Sequence, residues 1–529
     1  MAAIIACKVG NHTYLYESES YRDENGKVRS NRRIIGKVDP ITGEHIYKPE
    51  YIEEKGLHIT KDNAAETAVY SVSDVKKSSV KEFGVFYLLN EICNATGLTK
   101  VVMDTFPDVF EEILNMAFFI VATGEPAMYC EDWLYKSESH KGKVLTSQRI
   151  SELIGSITHG ERMDFYERWG EYRCEEEYVA LDITSISTYS EQINDAEWGY
   201  NRDKEKLPQV NVCMLMGEKS HLPIFQVVYS GSISDVSTLK ATLRTASGLE
   251  LSNMSLVMDK GFGKKISNID LMLSPEDGNR FLIALPFTLG FAKEQVNQEC
   301  ASIDTAENTV VIGDDIMRGI TKIQSWDKEH DVFVHTCFTP EVALQAKNTA
   351  YAKIFELTRK VHQSPEKHKD SAEVKQYLTV RKSKNNESGI SVKIKHSVLE
   401  SELTTKGWLI LISNHVDNVA DALEIYRAKD AVEKGFLRLK TCLDLGRLRV
   451  HSDNAMQNKL LIGFIALIII AHIHKAMSEN QLYKSWSMKK MIKILECLKI
   501  HYIKHDKIVS PLTKDQKRIF KAFGIKFDL

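Results

Sequence analysis

Closely spaced cysteines, net positive charge and long apolar runs are all missing from this sequence. Its nine cysteines include no pair at C-x2-C spacing, which argues against a zinc knuckle and favours a reducing cytosol. The net charge of −3 gives no global basic signal for nucleic acid, so a nucleic-acid-binding surface would require local segregation of charge. The strongest apolar run, residues 460–473, is shorter than the roughly 20 residues of a bilayer span. It predicts a buried core helix, and no membrane partner is expected. The N-terminus lacks the charged region of a signal peptide.

The composition is that of a globular protein with several domains. At about 150 residues per domain, the length of 529 residues predicts three or four domains. Near the N-terminus, Asn25-Gly26 between two potential strands predicts a β-hairpin. Six Lys and Arg residues between Arg22 and Lys37 make this hairpin basic. A solvated edge hairpin and a DNA contact both stay open as interpretations.

The middle of the chain changes from a helical to a mixed pattern. Residues 75–170 carry apolar side chains at helical spacing, without a recognisable helix-turn-helix pattern. From Glu177 the predicted order is βββαβαβ, which matches an α/β, ribonuclease-H-like core with a mixed sheet flanked by helices. Residues 287–405 interrupt this order and are interpreted as a β-rich insertion. A strand at 408–412 and one long helix at 417–439 then resume the core.

Two aspartates end predicted strands and invite a chemical explanation. Asp182 follows the apolar and aromatic residues 178–181, and Asp259 follows an apolar run and precedes Gly261 and Gly263. A buried carboxylate is costly unless a cation or hydrogen bonds compensate it, and glycines after a strand allow close ligand approach. An aspartate at a strand end also commonly caps a turn or the next helix. Each aspartate alone is therefore weak evidence for a site.

A helix face provides a more specific signal. Its members recur at spacings of 3, 4, 3 and 4 and are Tyr426, Lys429, Glu433, Phe436 and Lys440. This spacing places them on one side of a helix. A solvated face with a Lys429–Glu433 pair, worth roughly 0.2–0.5 kcal/mol, explains the charges but not the aromatic residues. A face that packs partly on a sheet and presents polar ends to a ligand explains every member.

The same face resembles a known signature. Residues 426–440 read Y-x2-K-x3-E-x6-K and resemble the Y-x2-R-x3-E-x6-K signature of a large group of bacterial insertion-sequence DDE transposases. The D-I-T at Asp182 looks like the first motif of that group, D-x-T. The M-D-K-G-F around Asp259 is similar to its second motif, usually A-D-R-G-F. The resemblance covers roughly residues 176–475, and the long stretch before Glu433 fits the β-rich insertion of the group.

This resemblance implies a reaction, cofactors and partners. It implies that Asp182, Asp259 and Glu433 hold two Mg²⁺ ions, or Mn²⁺ as a substitute, for DNA cleavage and strand transfer. Asp182 would bridge both ions, and each of the other acids would complete one site. The partners would be terminal inverted repeats and target DNA, bound by a homodimer in the cytoplasm at the nucleoid.

Further residues are predicted to contact DNA. Tyr426, Lys429 and Lys440 are assigned to phosphates near the scissile bond, contacts that supply affinity and register. Lys429 stands where the signature has Arg, and since Lys cannot bind phosphate bidentately, a weaker contact is expected. Trp326, in the insertion, is a candidate for stacking on a flipped base, with a core position as the alternative. Residues 485–529 carry eleven Lys and Arg against four Asp and Glu, which fits DNA binding or a dimer-contact helix.

Six segments follow from these features. They are a small β-rich region (1–74), a helical candidate DNA-binding domain (75–175), the first part of the core (176–286), the β-rich insertion (287–405), the second part of the core with the helix of the catalytic Glu (406–475) and a basic C-terminal region (476–529). Two other functions stay open: a ribonuclease-H-like nuclease without strand transfer, and a domesticated DNA-binding protein without catalysis.

Overall fold

The computed structural model describes most of the chain, in two compact units, Met1–Lys77 and Ser78–Leu529. The described residues are 3–9, 12–23, 26–39, 45–55, 74, 76–173, 177–233, 235–249, 254–274, 279–383, 389–441 and 445–527. The strands of the first unit are β1 (Ala3–Val9), β2 (His12–Arg22), β3 (Val28–Val38) and β4 (His45–Tyr47), followed by helix α1 (Pro49–Lys55).

The first unit is a four-stranded antiparallel sheet in the order β1-β2-β3-β4. The predicted hairpin is confirmed, because β2 pairs with β3 up to Arg22 and Val28; Asn25 itself lies outside the described residues. Leu15, Ile35 and Tyr51 form the small core between the sheet and α1. One of the basic side chains of the hairpin, Arg33, forms ion pairs with acidic residues of the same unit.

The second unit is built on a nine-stranded mixed sheet and a short three-stranded sheet. Its first strands are β5 (Ser79–Glu82), β6 (Tyr178–Ser187), β7 (Gln209–Gly217), β8 (Pro223–Ser230), β9 (Ser255–Met258) and β10 (Arg280–Leu285). The later strands are β11 (Thr309–Ile312), β12 (Asp315–Ser325), β13 (Asp331–Phe338), β14 (Leu378–Lys382), β15 (Ile390–Ile394), β16 (Trp408–Ser413), β17 (Lys499–Ile503) and β18 (Asp506–Val509).

Helices surround these sheets. Before the insertion they are α2 (Gly84–Ala95), α3 (Leu98–Thr105), α4 (Phe110–Thr123), α5 (Cys130–Lys136), α6 (Ser147–Ser156), α7 (His159–Tyr172), α8 (Asp235–Gly248), α9 (Ile266–Leu273) and α10 (Gly290–Glu299). The remainder are α11 (Pro340–Gln363), α12 (Pro365–His368), α13 (Ala372–Tyr377), α14 (His396–Leu403), α15 (Val419–Ala428), α16 (Asp430–Thr441), α17 (Asp453–Glu479), α18 (Met488–Glu496) and α19 (Lys514–Ala522).

The large sheet contains the predicted core. Its order is β11-β12-β13-β16-β10-β9-β6-β7-β8, and β9 pairs in parallel with β6 and β10, whereas β7 and β8 are antiparallel. The chain order of β6 to β10 with α8 and α9 is the predicted βββαβαβ. The ribonuclease-H-like α/β fold class is therefore confirmed.

The residues of the predicted insertion lie in two places. Strands β11, β12 and β13 extend the core sheet, because β13 pairs with β16 along its length. Helices α11 to α14 and the β14–β15 hairpin instead gather around a separate apolar cluster that includes Ile354, Leu357 and Val361. The insertion thus widens the core sheet before it forms its own small body.

The long apolar helix α17 is the centre of the second unit. By length and composition it is the one helix in the described residues that could cross a membrane unaided, but 78% of its apolar window is buried inside the protein. It packs against α4, α6 and β8. Its buried Asn458 accepts a hydrogen bond from Arg162 at 2.6 Å and donates to the Ile154 and Ile157 carbonyls. The predicted buried core helix is confirmed.

The basic C-terminal region folds onto the helical region that precedes the core. Strand β17 pairs with β5 and with β18, and Lys499 bonds to Glu82 at 2.9 Å. The rings of Phe520 and Phe527 pack edge-on against Tyr87 of α2. Residues far apart in the sequence therefore form one continuous body with α2.

The exit from β9 depends on a close backbone contact. A Cβ atom at Gly263 would lie 2.4 Å from the carbonyl oxygen of Ala284 in the neighbouring strand, whereas a Cβ atom at Gly261 would meet nothing within 4 Å. Of the two glycines that follow Asp259, only Gly263 is therefore required for close packing.

We expect Gly263→Ala to lower the thermal midpoint of unfolding, because the added methyl group forces the backbone apart at a cost of about 1–3 kcal/mol. Gly261→Ala is the matched control, since its helical backbone accepts alanine and the change is expected to be neutral or slightly stabilising. Scanning fluorimetry of both variants measures the difference. Equal midpoints would contradict the proposed importance of the contact.

Candidate active site

Asp182 and Asp259 are neighbours because of the strand register. Strands β6 and β9 are parallel, and Leu181 lies opposite Met258, so the aspartate that follows each of them lies at the same level of the sheet. The expectation that Asp182 ends its strand is wrong: β6 continues to Ser187, because β7 pairs with it along its whole length. Asp182 is therefore a mid-strand residue, whereas Asp259 does follow the last residue of β9.

The Asp182 carboxylate is largely buried, with 17% of its side chain exposed. Oδ1 accepts a hydrogen bond from the backbone N–H of Ile183 at 2.8 Å and lies 3.9 Å from Nη2 of Arg202. Burial raises the pKa of Asp182, although Arg202 and Lys429 favour its charged form. The carboxylate is thus a site where additional positive charge is favourable.

The Asp259 carboxylate has more internal partners. Burial alone would raise its pKa, but the Lys429 ammonium, the backbone N–H of Lys260 and the Tyr426 hydroxyl together lower it. The Tyr426 hydroxyl donates to Oδ1 at 2.9 Å. Burial, the charge of Asp259 and this hydrogen bond raise the pKa of Tyr426, so the phenol stays protonated as a donor. Tyr426 therefore holds the orientation of the Asp259 side chain.

Lys429 is the cation shared by the acidic residues. The residue is 5% exposed, and its Nζ donates to Oε1 of Glu433 at 2.8 Å. Although burial opposes its charge, the bond to Glu433 and the charges of Asp259 and Asp182 raise the pKa of Lys429. The Glu433 side chain is 58% exposed. The ammonium thus stabilises three carboxylates, two on the sheet and one on the covering helix.

The predicted single helix over residues 417–439 is wrong in one respect. It is divided into α15 and α16 at Lys429, whose backbone keeps helical angles (φ −51°, ψ −23°). The carbonyl of Lys429 accepts a hydrogen bond from Val432 three residues on, which is the tighter spacing of a 3₁₀ turn. Helix α15 packs over β9 and β10 and α16 over β6 and β7, so the pair spans the sheet above both aspartates.

Helix α16 lies close to the sheet at Gly435. A Cβ atom at Gly435 would lie 2.4 Å from Sδ of Met216 in β7. Phe436, a member of the predicted face, is buried in the main core. One side of α16 therefore packs against the sheet while Glu433 remains partly exposed, as expected for a face that presents polar groups to a ligand.

Lys440 lies farther along the same helix and contacts a loop. Its Nζ pairs with the carboxylate of Asp203, in the connection between β6 and β7. The contacts seen for Tyr426, Lys429 and Lys440 are all with acidic side chains of the protein itself. Their predicted contacts with DNA phosphates stay predictions.

Trp326 is not brought to the carboxylates. The strand ladders place it at the level of the beginning of β10, which is the opposite end of the strands from Asp259. The Trp326 indole N–H donates to Asp270 at 3.1 Å, and its ring packs edge-on against Phe291. These are the contacts of a partly buried packing residue. Stacking on a flipped base stays a prediction that this position does not support.

Comparison with known proteins identifies the family. The profile of the family described as transposase DDE domain matches residues 173–469, more than half of the chain. The chain belongs to the DDE transposase family. A search of curated proteins found no match. Among solved structures, the chain is similar to the piggyBac transposase synaptic complex with hairpin DNA, at 12% sequence identity and a TM-score of 0.35, over 77% of this chain and 70% of that one.

Membership makes this protein a DNA transposase of a family that generally uses divalent metal ions. Within the described residues of this transposase, no three His, Cys, Asp or Glu side chains are grouped closely enough to enclose a metal ion. Glu433 is instead directed to Lys429. The donor chemistry nevertheless fits, because carboxylate oxygens suit hard divalent cations. The position of the Lys429 ammonium shows that the carboxylates of the transposase attract positive charge.

Sequence reasoning missed two residues next to the candidate site, Arg202 and Asp203. They lie in the connection between β6 and β7, in a polar segment without helical or strand periodicity. The only signal was a concentration of charged residues between two predicted strands. Their position over Asp182 follows from loop packing, which no spacing rule predicts.

The opposite pKa shifts of the two aspartates predict opposite stability effects without metal. Asp182→Asn is expected to raise the thermal midpoint in EDTA at pH 8, because it removes a carboxylate that is costly to bury. Since the folded pKa is raised, this advantage shrinks as pH falls through that pKa. Asp259→Asn is expected to lower the midpoint, because the lowered pKa of Asp259 gives stability that is lost only below the unfolded value of about 3.9.

Thermal melts from pH 8 to pH 5 distinguish the two effects. The deficit of Asp259→Asn is expected to stay constant over this range while the advantage of Asp182→Asn declines. Destabilisation by Asp182→Asn at pH 8 would show that its compensation by Arg202 and Lys429 exceeds the cost of burial.

Proposed function

We propose that the protein is a cut-and-paste transposase of a bacterial insertion sequence, in which Asp182, Asp259 and Glu433 hold two Mg²⁺ ions, with Mn²⁺ as a substitute. The substrates are the terminal inverted repeats of the element and a target DNA. Hydrolysis at the element end frees a 3′-OH. This hydroxyl then attacks a phosphodiester, either of the opposite strand to close a hairpin or of the target to join it, and displaces the 3′ oxygen of the attacked bond, which leaves as a new 3′-OH.

One observation carries this proposal. The strand register places Asp182 beside Asp259, and the helix pair that carries Glu433 covers both strands. From this pair Tyr426 donates to Asp259, and Lys429, bonded to Glu433, interacts electrostatically with both aspartates. Two adjacent carboxylates beneath a third on a covering helix suit phosphoryl transfer, which depends on positioning and charge stabilisation.

Each residue has a role in this scheme. When bound, the metal ions supply the activation of the attacking oxygen and the stabilisation of the leaving oxygen. Tyr426 fixes one oxygen of Asp259, so this carboxylate meets its ligand in a single orientation. Before metal ions bind, Lys429 compensates the negative charge of the acids. Release of the hydrogen bond between Lys429 and Glu433 then lets the Glu433 side chain turn toward the aspartates.

The proposed reaction also indicates the partners of the protein, a second copy of the chain and DNA. Excision requires cleavage at two element ends, so we propose that a homodimer brings the ends together, in the cytoplasm at the nucleoid. Tyr426, Lys429 and Lys440 are proposed to contact phosphates next to the scissile bond, where Lys440 would exchange Asp203 for DNA. The basic hairpin of the first unit, with Arg29 and Arg32 exposed, is a second candidate DNA contact.

The decisive test uses a duplex that carries the inverted repeat flanking the gene. We expect Asp182→Asn, Asp259→Asn and Glu433→Gln each to reduce cleavage in Mg²⁺ by at least about 1,000-fold while the variants still bind the duplex, because the carboxylates act in charge stabilisation. Asp331→Asn, at the exposed start of β13, is the matched control and is expected to cleave normally. Cleavage by Asp182→Asn at the wild-type rate would refute the proposed site.

A pre-cleaved element end separates transposition from simple nuclease action. With a free 3′-OH and a supercoiled target plasmid, the transposase is expected to form joined products in Mg²⁺. Cleavage of the intact end without joining of the pre-cleaved end would favour the nuclease. Binding without either reaction would favour the domesticated DNA-binding protein.

A further inference from the structure

The connection between β6 and β7 is tied to the strand that carries Asp182. The carbonyl of Tyr200 accepts hydrogen bonds from the Ser185 hydroxyl at 3.3 Å and from the Gln209 side chain at 2.9 Å. Asn201 donates from its amide to the Ser187 hydroxyl at 3.0 Å. These contacts hold the segment 200–205 against β6 and β7, beside the carboxylates.

The other end of the segment is bonded to α16, the helix that carries Glu433, and to the chain that follows this helix. Asp203 pairs with Lys440 of α16, and Glu205 pairs with Arg447. The Asn201 side-chain oxygen also accepts from the backbone N–H groups of Asp203 and Glu205, at 2.9 and 3.2 Å. The segment thus joins the strand of Asp182 to the helix of Glu433, and its backbone is fixed on both sides of residue 202.

Arg202 lies between these anchors. Its Nη2 is 3.9 Å from Oδ1 of Asp182, which is too long for a hydrogen bond but is a favourable charge contact, and 29% of its side chain is exposed. Lys429, by contrast, is almost fully buried and bonded to Glu433. Of these two cations beside Asp182, Arg202 is the one that solvent and DNA can reach.

Guanidinium chemistry suits a phosphate at this position. Arginine presents several N–H donors in a planar fork that matches two phosphate oxygens, whereas lysine acts as a point charge. Once other cations neutralise the acids, the attraction of Asp182 for the Arg202 guanidinium weakens, and a phosphate bound above Asp182 offers it a negatively charged partner.

We propose that Arg202 is a phosphate-binding residue of the active site that contacts the scissile phosphate, and that Asp203 and Glu205 position it. This inference rests on the proposed function. Arg202 supplies the bidentate phosphate contact that is missing at position 429, where the signature has arginine and this chain has lysine. It also gives Lys440 a structural task before DNA binds, the fixing of the Arg202 loop through Asp203.

The first test compares variants of one loop in single-turnover cleavage of the element-end duplex. Arg202→Ala is expected to cleave about 100-fold more slowly, as for loss of one preorganised donor, with Arg202→Lys intermediate. Lys206→Ala removes the same charge from an exposed position of the same loop and is expected to stay within about threefold of wild type. Wild-type cleavage by Arg202→Ala would overturn the proposal.

The second test asks whether the phosphate itself is the partner. Binding is measured by fluorescence anisotropy in Ca²⁺, for wild type and Arg202→Ala, with duplexes that carry a normal phosphate or an uncharged methylphosphonate at the scissile position. We expect the methylphosphonate to weaken wild-type binding at least about fivefold more than it weakens binding by the variant. Equal weakening would show that Arg202 acts only on loop structure.

The outcomes separate this proposal from the function on which it rests. If the wild-type protein does not cleave the element end, the proposed function fails. If it cleaves but the methylphosphonate weakens both proteins equally, only the assignment of Arg202 fails. Thermal midpoints of the variants within about 2 °C of wild type, together with slow cleavage and the unequal weakening, support the assignment.

Discussion

The contacts of the Lys429 ammonium with three carboxylates are the interactions on which the candidate active site depends. Three acidic side chains that converge on one region would repel one another, and burial makes that repulsion stronger. Lys429 relieves it from the junction of α15 and α16, where its bond to Glu433 and its closeness to both aspartates keep it charged despite burial. The candidate site is therefore arranged around a positive charge of the protein itself, and Glu433 lies on the helix surface, bonded to Lys429 rather than placed among the aspartates.

The rest of the second unit keeps that ammonium above the sheet. The parallel pairing of β6 with β9 sets the two aspartates side by side, and α16 packs on β6 and β7 with Gly435 against the Met216 side chain. Helix α17 provides apolar support, since it packs against α16 and the outer strand β8. The insertion strands extend the same sheet, so the platform under α15 is continuous from the core into the insertion.

The two cations near Asp182 lie on different elements, Arg202 on a loop and Lys429 at the junction of two helices. The signature of the family group has an arginine on the helix, whereas this chain has a lysine there and an arginine on the connection between β6 and β7. The lysine, with its compact charge, fits a buried position among carboxylates, and the arginine, with its planar fork, stands at the more open side. The loop is bonded to β6, which carries Asp182, and to α16, which carries Glu433. Its arginine is therefore held in place although it lies outside regular secondary structure.

The sequence by itself determined the α/β core order and the buried nature of α17, and it singled out the three candidate acids, because strand and helix periodicity and the Y-x2-K-x3-E-x6-K spacing are local properties of the chain. Asp259 after its strand and the face around Glu433 were predictable for the same reason. Only the tertiary structure decided that Asp182 lies mid-strand, that the helix divides at Lys429, that Trp326 lies at the opposite end of the strands from Asp259 and that Arg202 reaches Asp182. Those features depend on which strands pair and how a loop packs, and such contacts join residues whose separation in the sequence carries no periodic signal.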